Sequence, residues 1–209
     1  MLTSIIEMPE NTVETSRKLD GMFKLRHEVF KERLAWEVGS FAGKERDMFD
    51  DLDPVYIVCE HEGQVLGSWR LLQTTRPYML KDVFPELLHG MPAPEAPDVW
   101  EISRFAVSKR ILTGNESLGT INMVTSMLLD QLGAFCKRRN ISKVVAVTDV
   151  RFERILKRAG LLTHRYGPPL EIGVTRAVSG YADVGELNAR RAQLKAESFE
   201  PMQDFKLAA

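Results

Sequence analysis

Apolar residues recur along this 209-residue chain with two periods, and the periods divide it into elements. From Val13 to Arg33 the spacing is helical: Leu19, Met22, Phe23 and Phe30 share a face, with Arg26 among them. Val55–Glu60 and Val65–Leu72 are apolar runs around Glu62-Gly63, which predicts a hairpin. Residues 74–98 contain Pro77, Pro85, Pro92, Pro94 and Pro97, which predicts loop with one short helix near Lys81–His89. Val99–Val107 carries apolar residues on both faces, so a central, doubly covered strand is expected. Ser117–Phe135 places Val124, Leu128, Leu132 and Phe135 on one helical face. Val144–Thr148 is a second buried strand, and Val150–Ala159 a short helix closed by Gly160. Glu171–Val178 is a further strand, and Val184–Lys195 a terminal helix. This order predicts an α/β fold: a single domain over residues 1–205 whose mixed, twisted sheet is flanked by helices.

Composition adds mainly exclusions. Hydrophobic residues make up 44% and charged residues 27%, an ordinary balance that excludes wholesale disorder. The net charge is −1, so no overall basic excess points to nucleic acid, and an acidic partner has to be met by local patches. Cys59 and Cys136 lie in apolar surroundings and read as two buried thiols in a reducing compartment; no zinc-like spacing is present. The N-terminus lacks a signal-peptide pattern, and no run approaches the length of a membrane span, so a cytoplasmic protein without membrane insertion is expected. Lys206 to Ala209 read as a vector-derived tail.

The chemistry lies where charge interrupts apolar pattern. Arg26 sits on an apolar helix face, Arg70 in a hairpin strand, and Glu101 and Arg104 in the central strand. Desolvating an unpaired charge costs several kcal/mol, so buried charges survive by pairing. Asp47 and Asp50 lie in residues 37–53, a stretch with no clear period. Three arginines (Arg26, Arg70, Arg104) therefore predict three acids beside them (Asp47, Asp50, Glu101). Strand alternation turns Glu101 and Ser103 one way and Arg104 the other, so one site holding both charges requires a β-bulge within residues 100–106.

The set Arg26, Phe30, Trp36, Asp47, Asp50, Arg70, Glu101 and Arg104 resembles the signature of the acyl-homoserine-lactone synthases, the autoinducer synthases of bacterial quorum sensing. Phe84 after Leu80-Lys81-Asp82-Val83, Arg158-Ala159-Gly160 and Gly167-Pro168 extend the resemblance across roughly residues 20–180. It implies an N-acetyltransferase-like fold, an acylated acyl-carrier protein as donor and S-adenosylmethionine as acceptor. The products are then an N-acyl homoserine lactone and methylthioadenosine, with no metal and no permanently bound cofactor.

Under that reading Glu101 is the candidate general base for the substrate amine, or else it orients Arg104. Arg26, Arg70, Asp47 and Asp50 complete the catalytic set, and backbone N–H groups near Ser103–Phe105 are candidate oxyanion donors. S-adenosylmethionine is assigned to Phe30, Trp36, Asp47, Asp50, Arg104 and Phe105, with aromatic faces and carboxylates for the sulfonium. Arg26 or Arg104 orients the substrate carboxylate by a forked contact. The acyl pocket is assigned to Ser103, Met123, Val124, Met127, Leu128, Val147, Thr148 and Leu156. Two basic clusters are candidates for docking the acidic carrier: Lys137, Arg138, Arg139 and Lys143, or Arg151, Arg154, Lys157 and Arg158. The second is preferred, on a helix expected to bury Phe152, Ile155 and Ala159. Two alternatives remain: an acetyl-coenzyme A N-acetyltransferase, whose glycine-loop spacing Arg110–Gly119 does not match, and a non-catalytic binding module, which has no need of six buried charges.

Overall fold

The computed structural model describes residues 1–9, 12–109, 117–161 and 163–199. The segment from Arg110 to Glu116 and the tail Lys206 to Ala209 lie outside the described residues. The elements, in chain order, are β1 (Leu2–Glu7), α1 (Val13–Arg26), β2 (Ser40–Phe41), β3 (Lys44–Glu45), β4 (Val55–His61), β5 (Gln64–Gln73), α2 (Met79–Asp82), β6 (Val99–Val107), α3 (Ser117–Arg138), β7 (Lys143–Asp149), α4 (Val150–Arg158), β8 (His164–Arg165), β9 (Leu170–Ile172), β10 (Thr175–Asp183) and α5 (Val184–Phe199). One eight-stranded sheet runs β1-β4-β5-β6-β7-β10-β8, with β9 also on β10. Every pairing in it is antiparallel except β6 with β7, so the sheet is mixed and twisted as the pattern predicts.

Helices cover both faces. On one, Val124, Leu128, Leu132 and Phe135 of α3, Leu156 of α4 and Leu187 of α5 pack on Ile57, Trp69, Leu71 and Ile102. On the other, Met22 of α1 packs on Tyr56 and Val58, and Leu25 of α1 on Ala106. Met79, Leu80, Leu87 and Leu88 pack there on Val145 and Ala177. Burying these two layers is the main stabilising contribution, at roughly 25 cal/mol per Å² of apolar area. Cys59 and Cys136 are free and buried in the first layer, where burial pushes the Cys136 thiol up to about 12.

The hairpin turn falls at Glu62-Gly63, both left-handed (φ 48° and 77°), as expected for a two-residue connection. Four differences from the sequence reading have local causes. The N-terminal edge strand β1 is absent from that reading, because Leu2–Glu7 lacks strict alternation and gains its order by pairing with β4. The expected strand Glu171–Val178 is two strands, β9 and β10, turned at Gly173 (φ 56°), and β10 continues to Asp183. The single helix expected near Lys81–His89 is α2 followed by a 3₁₀ turn, Pro85–Leu88, which starts at a proline. The helix from Val13 to Arg33 changes pitch after Arg26 and finishes as a π-helix, His27–Arg33.

Candidate functional site

The charged residues converge on the α1 side of the sheet, between β5, β6 and the chain that follows α1. Asp47 and Asp50 are oriented by backbone before any arginine reaches them. Asp47 caps the 3₁₀ turn Met48–Asp51 by accepting from Phe49 N at 3.0 Å, and the Asp50 carboxylate accepts from Asp47 N at 2.9 Å. Arg26, at the end of α1, donates through Nη1 and Nη2 to Asp50 at 2.8 and 2.9 Å, and through Nε to Glu45 of β3 at 2.5 Å. Arg70 of β5 donates through Nη1 to Asp47 at 2.5 Å and Asp50 at 2.9 Å, and through Nε to Ser103 Oγ at 3.2 Å. Arg104 of β6 donates through Nε to Glu45 at 3.0 Å and pairs through Nη2 with Asp47 at 2.6 Å. The Tyr56 hydroxyl donates to Asp50 at 2.7 Å.

Three arginines thus face three acids, but the third acid is Glu45 and not Glu101. Glu45 lies in the irregular stretch Gly39–Arg46, where its charge reads as ordinary surface. The short hairpin β2–β3 turns it inward, fully buried. Its one signal in the sequence was membership of the stretch that also holds Asp47 and Asp50. Burial disfavours the charged form of all three arginines and of Asp50, and it prevails at Arg104, which is lowered despite Glu45 and Asp47. Arg26 is nevertheless held above its ordinary value by Asp50 and Glu45, and Asp50 well below the usual carboxylate range by Arg26 and Arg70. Burial also raises the Tyr56 hydroxyl, with Asp50 adding to it.

Glu101 stands apart from this network. It is 1% exposed, and its carboxylate accepts from the backbone N–H of Met79 at 3.0 Å and of Leu80 at 2.7 Å. Burial pushes it up to about 7, against the opposing pull of those two N–H groups, Arg70 and Arg104. A buried carboxyl that titrates near neutrality is suited to accept and return a proton.

The expected bulge is present at Arg104. β5 pairs Ser68 with Ala106 but Arg70 with Ser103, so Arg104 and Phe105 stand opposite Trp69 alone. Arg104 takes a left-handed φ of 55°, a sparsely populated region for a side chain of its size. The extra residue puts Arg104 on the same face as Glu101 and Ser103. It also turns Phe105 to the opposite face, against Trp69 and Phe152 at ring separations of 4.8 Å each. Phe105 is therefore not beside the charged network, as its assignment to the acceptor site required. Phe30 and Trp36 are, stacked at 5.3 Å and 7°, with the Arg104 guanidinium 5.6 Å from the Phe30 ring. The π-helical end of the first helix makes this stack possible, since Trp36 N donates to Phe30 O at 2.9 Å.

The acyl-pocket residues do not share a face. Ser103 lies on the network side, and Val147 packs in the same layer as Met79 and Leu80. Val124, Met127, Leu128 and Leu156 pack in the layer under α3 and α4. Thr148, next along β7, alternates to that second side. Met123 is 46% exposed and does not belong to a buried pocket. The β6–β7 ladder ends at the Glu101–Val145 pair, before the bulge, so the two groups of residues flank an interruption in the only parallel pairing of the described sheet. A cleft of about 600 Å³, lined by Lys24, Leu25, His27 and Val65, runs outside α1 and contains none of the network charges.

On α4 the side chains of Arg151, Arg154, Lys157 and Arg158 are exposed. Ile155, expected to face inward, is 47% exposed, because Phe152, Glu153 and Leu156 take the inner face. Glu153 is held by Arg165 and Thr163, and the Arg165 hydrogen bond draws its carboxyl down to about 2. Lys157 lies 3.3 Å from Glu153, whereas Arg151, Arg154 and Arg158 make no ion pair among the described residues. The other basic cluster is partly spent: Arg139 pairs with Glu7, and Lys143 lies 5.2 Å from the Tyr181 ring.

A mixed sheet with an interrupted parallel pair, and beside it a buried carboxyl above a network of arginines and acids, defines a protein of the acyltransferase class. The model of the autoinducer synthase family matches residues 10–192, and the chain belongs to that family. The acyl-homoserine-lactone synthase of Pseudomonas aeruginosa is 43% identical over 170 residues, covering 79% of this chain and 83% of the relative. The crystal structure of the AHL synthase LasI superposes with a TM-score of 0.77 at 40% identity, covering 88% of this chain and 89% of that one. BjaI, a CoA-dependent acyl-homoserine lactone synthase solved with SAM and isopentyl-CoA, gives 0.77 at 25% identity, covering 91% and 88%. An acyl-CoA N-acyltransferase from Pseudomonas aeruginosa shares the fold alone, with a TM-score of 0.56 at 13% identity, covering 87% of this chain and 99% of that one.

Proposed function

We propose that this protein transfers an acyl group from an acylated acyl-carrier protein to the amine of S-adenosylmethionine. It then closes the product to an N-acyl homoserine lactone and releases methylthioadenosine. The observation that carries this reading is Glu101, a carboxyl buried on the face that also holds the arginine network, held by the Met79 and Leu80 N–H groups and pushed by burial up to about 7. Glu101 takes a proton from the substrate ammonium, directly or through a water. The free amine nitrogen attacks the thioester carbonyl, the tetrahedral adduct gives up a second nitrogen proton as it collapses to the amide, and the C–S bond breaks; the departing thiolate takes up one of the two protons and the other passes to solvent. Backbone N–H groups at the Arg104 bulge are the donors assigned to the oxyanion, since a bulge leaves groups unpaired in the ladder. The carboxylate oxygen then attacks the γ-carbon of the methionine moiety. The C–S⁺ bond breaks with its electron pair going to sulfur, which leaves as the neutral thioether. Neither step requires a metal or a permanently bound cofactor.

Phe30 and Trp36 offer aromatic faces to the sulfonium, with Asp47 and Asp50 supplying negative charge nearby. Trp36→Ala is expected to weaken S-adenosylmethionine binding by about two- to thirtyfold, the span of a cation–π contact from exposed to desolvated. Methylthioadenosine, which has no sulfonium charge, should lose less, and calorimetry on both ligands checks the difference. The acyl arm is assigned to the β6–β7 interruption, entering past Ser103 and Val147. Its chain end then lies among Val124, Met127, Leu128, Thr148 and Leu156.

The choice of a carrier protein as donor rests on Arg151, Arg154 and Arg158, three exposed charges on one helix face that make no ion pair among the described residues, with Lys157 adjacent. Among the described residues no helix is long and apolar enough to cross a membrane, and a cytoplasmic location fits a donor of that kind. The test compares kcat/KM for one acyl chain presented on carrier protein and on coenzyme A. Arg154→Glu combined with Arg158→Glu is expected to lower the carrier value by about tenfold at low salt, less at high salt, and to leave the coenzyme A value unchanged. Faster turnover with acyl-coenzyme A, insensitive to the double reversal, would reassign the donor.

A further inference from the structure

Arg26 spends all three guanidinium nitrogens on carboxylates, at 2.5, 2.8 and 2.9 Å. Arg70 and Arg104 do not. The partner of Arg70 Nη2 is the sulfur of Met79 at 3.2 Å, and the partner of Arg104 Nη1 is that same sulfur at 3.4 Å. A thioether is a weak acceptor, whereas a guanidinium N–H bonds most strongly to an anion. Two charged donors, carried on neighbouring strands, therefore converge on one poor acceptor. That acceptor sits on an unbranched side chain with freely turning bonds, which is easily moved aside. The backbone N–H of the same residue donates to Glu101 at 3.0 Å, so the convergence point lies within one side chain's length of the candidate base.

We propose that Met79 is a displaceable stand-in for the carboxylate of the acceptor substrate. In the free protein its thioether holds Arg70 Nη2 and Arg104 Nη1 in a convergent pose. When an α-amino acid end arrives, its carboxylate takes both N–H groups and the Met79 side chain swings out. The α-amine, two bonds from the carboxylate carbon, is then directed toward Glu101. The same device suits the second step, in which the carboxylate has to leave its donors to become the nucleophile. A returning thioether gives those donors an alternative partner and so eases the release. The six charges of the network, Arg70 and Arg104 included, cancel among themselves, so neither Arg70 nor Arg104 needs to leave its acids to bind the substrate.

This inference rests on S-adenosylmethionine being the acceptor, and its test separates the two. Calorimetry on the full-length protein measures binding of S-adenosylmethionine, decarboxylated S-adenosylmethionine and methylthioadenosine to the wild type and to Met79→Leu. Leucine conserves volume and removes the acceptor, so the fold is retained. The variant should bind S-adenosylmethionine about threefold more tightly, because no hydrogen bond has to be broken first. Its affinity for the two ligands without a carboxylate should be unchanged. An equal shift for all three ligands, weaker binding of S-adenosylmethionine by the variant, or a wild type indifferent to the carboxylate would overturn the role of Met79 while leaving the acceptor intact. A wild type that binds none of the three would overturn both.

Discussion

Glu101→Gln is expected to lower turnover by about 10²- to 10⁴-fold, the range a positioned general base contributes. Glutamine keeps an oxygen for the Met79 or Leu80 N–H but has no basic lone pair for the amine proton, so the loss falls on acyl transfer. Methylthioadenosine binding should be retained, which separates a chemical defect from a misfolded site. The pH dependence has a definite sign. Burial raises the Glu101 carboxyl to about 7, and a base has to be ionised to act. The wild-type rate should therefore climb with pH and level off above about 7, falling roughly tenfold for each unit below it. An inactive Glu101→Gln together with a flat wild-type profile between pH 6 and 8 would assign Glu101 to orienting α2 and not to proton transfer.

Arg26→Ala is expected to cost about 3–5 kcal/mol of folding stability, because it leaves Asp50 and Glu45 buried with part of their counter-charge removed. For a domain of this size that corresponds to a midpoint lower by roughly 6–20 °C, read by calorimetry or circular dichroism melting. Acid should attack the same network. The folded Asp50 carboxyl is held well below its unfolded value of about 3.9, so its contribution is fully present above that value and is lost as pH falls through and below it. In Asp50→Asn this part of the acid sensitivity should be missing. A loss below about 1 kcal/mol for Arg26→Ala would place the cluster with exposed ion pairs, contrary to its burial.

Much of this site is legible in the chain because buried charge is costly. Arg26 on an apolar helix face and Arg70 in an apolar strand announce partners, and the count of three acids is correct. The identity of the third acid is not legible. Glu45 reaches the arginines through a two-residue-strand hairpin whose sequence, Ser40 to Glu45, looks like any polar loop. Glu101, three residues before Arg104 in the same strand, looks like the natural partner until backbone N–H groups from α2 are found holding it. The bulge is legible from parity alone, since Glu101 and Arg104 could not otherwise face one site. Its second consequence, the turning of Phe105 away from the network, follows from the same parity once the bulge is placed between Ser103 and Phe105. Helix faces were harder: Ile155 and Leu156 are both apolar neighbours, and only Glu153, drawn inward by Arg165, decides which of them is buried.

The most direct test of the whole reading is to incubate the purified protein with S-adenosylmethionine and a series of acylated carrier proteins, following lactone and methylthioadenosine by mass spectrometry. Equal amounts of the two products, formed together, are the expected result, because both steps are assigned to one face of one sheet. Acylated amine accumulating without methylthioadenosine would contradict it, and would leave an N-acyltransferase that lacks the ring-closing step.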